Sequence, residues 1–144
     1  MDVKIKVAVL SKLRFDELME ERKDLMFISI NDTLGTDAVP YFNNHKNVKV
    51  LYFDDVEEDL ETNQGTAKAF TKQQAAEIID FLEQNKQATT CIVHCTAGIS
   101  RSGAVGLFVN DYFGADYDTF KVLNPHTLPN GKVTQLLNRE LYGR

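Results

Sequence analysis

The 144 residues include only two cysteines and three histidines. Cys91 and Cys95 stand four apart with His94 as the only histidine nearby, a spacing that fits neither a zinc site nor a disulfide framework. No metal and no other cofactor is therefore expected, and the sparse free thiols suggest a reducing, cytoplasmic setting. No apolar run approaches the ~18–20 residues that a membrane-spanning helix needs. The opening MDVKIKVAVL is too short and too alternating for a signal peptide. Basic charge is in the minority: 16 Lys and Arg against 21 Asp and Glu leave a net charge of −5 and a pI near 5.2. That balance argues against nucleic acid or an anionic membrane as a partner. There is no internal repeat, low-complexity tract, Pro/Gly-rich linker or block of five like charges; VEEDLE comes nearest. What remains is an ordinary globular composition, 43% hydrophobic and 26% charged, sized for one domain over 1–144.

Strand and helix patterns alternate along the chain. Residues 3–10 alternate lysine and aliphatic side chains, as a strand does. SKLRFDELMEER predicts a helix with Leu13, Leu18 and Met19 on one face and Ser11 as a cap. DLMFISI (24–30) and NVKVLYF (47–53) read as strands, and ETNQGTAKAF (61–70) as an irregular loop. Thr71 and Gln74 make a capping box before a helix that buries Ala75, Ile78, Ile79 and Leu82. ATTCIVHC (88–95) is a β-branched strand. Residues 102–113 form an apolar helix ended by Gly114, 115–123 a further helix, NPHTLPNG a turn-rich loop, and Val133, Leu136, Leu137 and Leu141 mark a last amphipathic helix. The expected fold is α/β, with a mostly parallel central sheet flanked by helices on both faces.

The chemistry concentrates in IVHCTAGISRSGAVG (92–106). Thr96, Ala97, Gly98, Ile99 and Ser100 join a buried strand to a buried helix. Such a loop can curl so that its amides converge on an anion, with the positive end of the next helix aimed at the same point. Gly98 permits the tight curl. Arg101 adds a planar fork for two oxygens of a tetrahedral oxyanion. Cys95 begins this cradle, where amides, helix dipole and arginine all favour its thiolate, placed for in-line attack on phosphorus. The Ser102 hydroxyl can donate to the sulfur and help it leave. His94 points away from the pocket if strand alternation holds, orienting the loop and not acting as a base.

HCTAGISRSG resembles the His-Cys-x5-Arg-Ser/Thr signature of the protein tyrosine phosphatase superfamily, and looks most like its compact dual-specificity branch. The resemblance is strongest over residues 48–113; outside them it rests on element order, on FISINDT and on PNGKV. It implies the cysteine phosphatase fold and a metal-free, two-step hydrolysis of phosphotyrosine, or also phosphoserine and phosphothreonine, in a protein or peptide. Cys95 is then the nucleophile, Arg101 and the loop amides hold the phosphoryl oxygens, and an aspartic acid protonates the leaving oxygen and later activates water. By the same resemblance that acid follows NVKVLYF. Asp55 matches best, Asp54 and Asp59 are alternatives, and Asp32 and Asp37 are the next places to look.

Other readings attach to the same residues. Cys91 is expected in the core, since four residues of strand span roughly 13 Å, too far for a disulfide to Cys95. His45 and His126 read as surface residues, Ser100 as loop geometry, and Asn130 as loop packing in preference to water positioning. Three rival functions stand against a protein phosphatase. One is a phosphate-binding pseudophosphatase, which intact Cys95, Arg101 and Ser102 disfavour. Another is a rhodanese-like sulfurtransferase, which the strand-end acid and His94 disfavour. The third is a phosphatase for phosphoinositides or nucleic-acid 5′-phosphates, which the absence of basic residues at Thr96, Ala97 and Ile99 disfavours.

Overall fold

The computed structural model describes residues 5–18, 24–34 and 46–143. Asp37, His45, Met19 and the first residues of the expected N-terminal strand lie outside them. Strands β1 (Lys6–Ser11), β2 (Leu25–Asn31), β3 (Val48–Tyr52) and β6 (Thr90–Cys95) form one sheet in the order β1-β6-β2-β3, every pair parallel. Their sequences are apolar on both faces, as a covered parallel sheet requires. Val7, Val9, Ile28, Ile30, Cys91, Val93 and Cys95 belong to the main core. That core is completed by α2 (Lys72–Gln84), α3 (Arg101–Tyr112), α4 (Tyr117–Leu123) and α5 (Gly131–Tyr142). Alternate residues Phe27, Val48 and Ile92 form a smaller core with Phe15 of α1 (Lys12–Leu18). The sheet is thus covered on both faces, as expected.

Local chemistry explains most boundaries. Thr71 Oγ1 accepts from Gln74 N at 3.1 Å while Gln74 Oε1 accepts from Thr71 N at 3.0 Å, so the capping box that opens α2 is complete. Asp116 caps α4 by accepting from Thr119 N at 3.0 Å, and Gly114 leaves α3 with φ of 71°. The outer edge of the sheet, at β1, is occupied by a side chain. Val9 N donates to Asn124 Oδ1 at 2.7 Å, and Asn124 Nδ2 donates to Val7 O at 2.8 Å.

Two expectations need correction. Residues 61–70 are not an irregular loop throughout, because β4 (Leu60–Thr62) and β5 (Gly65–Ala67) pair as an antiparallel hairpin. Its three-residue strands are largely exposed and carry no apolar alternation, so the turn chemistry alone marks it: Thr62 Oγ1 donates to Gly65 O at 2.7 Å. In α1 the buried face is set by Phe15, which is fully buried and lies edge-on to Phe27 at 5.5 Å, whereas Leu13 is 72% exposed. Leu13, expected on the buried face, therefore lies off it. Ser11, expected as the cap of α1, is the last residue of β1, pairs with Cys95 and stands immediately before Lys12, the first residue of α1.

Candidate active site

Three loops meet at the carboxyl ends of the parallel strands, where open α/β sheets place their ligand sites. They follow β2, β3 and β6, with β6 in the interior of the sheet. The loop after β6 runs from Cys95 to Arg101. Gly98 has φ of +74°, and a Cβ there would lie 2.6 Å from the carbonyl carbon of Leu10. Only glycine tolerates both the left-handed backbone and that approach to β1. On its outer side the loop is buttressed by the 128–130 segment, since Leu128 N donates to Ile99 O and Asn130 N to Ser100 O, each at 3.0 Å.

Cys95 is 2% exposed at the end of β6, and its Sγ lies 3.0 Å from Ser102 Oγ. Burial by itself pushes the thiol up. The Ser102 hydroxyl, the amides of Ser102 and Ile99 and the Arg101 charge together outweigh it, holding Cys95 below an ordinary thiol. Ser102→Ala removes the strongest of these opposing contacts. A thiolate needs its proton off, so raising the thiol moves the acid limb of any Cys95-dependent rate to higher pH. Alkylation of Ser102→Ala at pH 6 should accordingly be slower than in the wild type, as read by mass spectrometry; equal rates would remove Ser102 from the account. Cys91, four residues and so two strand periods below, is fully buried and pushed up by burial alone.

Arg101 is 5% exposed, and its donors are divided. Nη1 donates to Asp32 Oδ1 at 2.6 Å and to Phe53 O at 2.8 Å, and Nη2 donates to Thr96 Oγ1 at 3.3 Å. Thr96 Oγ1 in turn donates to Asp32 Oδ2 at 3.2 Å. Nε has no partner among the described residues although it is buried. Three of five N–H groups are therefore held by the protein. The free Nε–H and second Nη2–H share one edge of the guanidinium, the side-on edge that suits two oxygens of a tetrahedral anion.

The acidic stretch after β3 separates into distinct roles. Asp54 accepts from the Thr33 hydroxyl, from Thr33 N at 3.0 Å and from Lys68 N at 2.7 Å. Burial raises it, but these donors and Arg101 hold its carboxyl below the usual range. Asp59 accepts from Ala69 N at 3.0 Å and so ties down the hairpin. Asp55 is exposed and reaches the Cys95–Arg101 loop: its Oδ1 accepts from Ser100 Oγ at 3.0 Å and from Asn130 Nδ2 at 2.8 Å.

His94 turns to the other face of the sheet, as its alternation with Cys95 predicts. It is fully buried, its ring lies 4.4 Å from that of Phe15, and its Nε2 is 2.5 Å from Ser29 Oγ. Its Nδ1 lies 3.3 Å from Cys95 O, so it steadies the start of the loop. His126 is exposed, as expected, with Nε2 3.0 Å from Val9 O. Asp32, Ser100 and Asn130 carry more than the sequence assigned them. For Asn130 a signal was present: an asparagine between Pro129 and a helix pattern is an N-cap, and its Oδ1 accepts from Lys132 N and Val133 N at 2.9 and 3.1 Å.

No protein-family model and no curated protein sequence matches the chain. Solved structures do. The human tyrosine phosphatase-like serine/threonine/tyrosine-interacting protein aligns with a TM-score of 0.54 at 21% identity, over 84% of this chain and 80% of that one. Human DUSP28 aligns at 0.52 and 17% over 99% of this chain and 95% of its own. PTPMT1, solved in complex with PI(5)P, aligns at 0.53 and 11% over 99% and 94%. The fold is that of the compact tyrosine and dual-specificity phosphatases, as the HCTAGISRSG resemblance implies.

Proposed function

We propose that the chain is a cysteine-dependent phosphatase that hydrolyses phosphotyrosine, and by the same chemistry phosphoserine and phosphothreonine, in proteins through a phosphocysteine intermediate. The observation that carries this reading is the unpartnered, buried Arg101 Nε beside a cysteine whose thiolate is favoured. In the first step the Cys95 thiolate attacks phosphorus and the P–O ester bond breaks. The leaving oxygen takes a proton from Asp55. In the second, water attacks phosphorus, Asp55 takes its proton, the S–P bond breaks and phosphate departs, with Ser102 donating to the departing sulfur. Arg101 and the amides of Thr96, Ala97, Gly98, Ile99 and Ser100 hold the phosphoryl oxygens throughout.

A protein substrate in the cytoplasm is favoured over a phosphoinositide or a nucleic-acid end by the absence of any basic side chain within 96–100 and by the exposed Glu57 and Glu58 beside Asp55, which repel polyanions. Among the described residues no helix is long and apolar enough to cross a membrane. A non-catalytic binding role is opposed by the intact Cys95, Arg101 and Ser102.

The test is the purified chain on an aryl phosphate, on thiosulfate with cyanide, and on matched phosphopeptide and phosphoinositide panels. Hydrolysis of the aryl phosphate and the phosphopeptides is expected, unaffected by EDTA and blocked by vanadate. Sulfur transfer to cyanide without phosphate release would replace the reading with a sulfurtransferase. Turnover confined to phosphoinositides would overturn the protein substrate.

A further inference from the structure

Asn130 has every polar group engaged. Its Oδ1 caps α5, its backbone N–H holds Ser100 O at 3.0 Å, and its Nδ2 donates to Asp55 Oδ1 at 2.8 Å. Ser100, instead of capping α3 with its side chain, turns its hydroxyl to the same Asp55 oxygen at 3.0 Å. Two donors from two different loops therefore converge on one oxygen of one exposed carboxylate. Asp55 Oδ2 has no hydrogen-bond partner among the described residues. Neither donor is needed where it is for folding alone, since α5 is already capped through Oδ1 and a serine hydroxyl at an exposed loop is satisfied by water.

We propose that Asn130 and Ser100 are positioning residues that clamp Asp55 over the Cys95–Arg101 loop by its Oδ1 and so assign the transferable proton to Oδ2. This rests on Asp55 being the general acid. A carboxyl gripped through one oxygen can rotate little, and the remaining oxygen is presented to the leaving group in the first step and to water in the second. Effectiveness of a general acid depends on such placement within hydrogen-bond reach. The clamp also joins the two loops before substrate arrives, so closing the acid over the phosphate costs no further ordering.

Asn130→Ser separates this role from helix capping, because serine caps as well as asparagine but has no amide to reach Asp55. The rates to compare are those on phenyl phosphate and on the phosphate of a strongly acidic phenol. Asn130→Ser should lose about tenfold on phenyl phosphate, a part of the ~10²–10⁴-fold span of general acid catalysis, and far less on the acidic phenol. Thermal unfolding should stay near the wild type. Asn130→Asp, which also caps, should show the same leaving-group dependence. In an Asp55→Asn background Asn130→Ser should add almost nothing, because the two share one function. An equal loss on both substrates, or full additivity with Asp55→Asn, would overturn the clamp while leaving Asp55 as the acid. An Asp55→Asn variant without leaving-group dependence would instead overturn the acid assignment and the clamp with it.

Discussion

Cys95→Ser should lower phosphate release by a factor on the order of 10⁵–10⁶, the scale of loss when a covalent hydrolase loses its nucleophile, while still binding the ester. A serine hydroxyl does not ionise near neutrality. The contacts that favour the thiolate, chiefly the Ser102 hydroxyl and the amides of Ser102 and Ile99, are too weak to bring an alcohol into that range. The free edge of Arg101 is untouched by the change, so phosphate-ester binding, measured by calorimetry or by competition with vanadate, should persist. In the wild type iodoacetamide at pH 6 should label Cys95 and spare Cys91, because one thiol is held down by its donors and the other is raised by burial with nothing to offset it. Wild-type turnover by Cys95→Ser would rule out Cys95 as the nucleophile.

Asp55→Asn should slow the release of a phenol of pKa near 10 by about 10²–10⁴-fold, and that of a strongly acidic phenol far less. The contrast arises because only a poor leaving group needs a proton as its bond breaks. Asp54→Asn and Asp59→Asn should show no such contrast. Three donors and Arg101 hold the Asp54 carboxyl below the usual range, which disfavours the protonated form an acid needs, and Asp59 is tied to Ala69 N just after the hairpin. Leaving-group dependence at Asp54 or Asp59, absent at Asp55, would move the acid to the neighbouring position.

How legible this was in the sequence follows from the range of each interaction. The Cys95–Arg101 loop, its flanking strand and helix, and the turn of His94 to the opposite face of the sheet depend on neighbours in sequence, so spacing and alternation reveal them. The capping box at Thr71 and Gln74 is legible for the same reason. Sorting Asp54 from Asp55 is not, because the distinction lies in Thr33 and Lys68 on one side and Ser100 and Asn130 on the other. These partners are up to 75 residues away and no period connects them. Asp32 is a similar case: a polar residue after a strand looks like any solvated loop position until Arg101, 69 residues on, is found gripping it. Leu13 lies off the buried face of α1 because Phe15 supplies the contact there, in a core only a few residues across.

The side-chain amide of Asn124 on β1 has a consequence for how separate molecules meet. Val9 N and Val7 O point outward from the sheet, the directions through which a strand of another chain would add itself. One amide group satisfies both, in the manner of a single residue of an absent neighbouring strand. An incoming strand would have to displace it and strand its polar atoms among apolar side chains, where Asn124 is 1% exposed. The sheet is therefore terminated at this border, and a strand of another chain cannot extend it from β1.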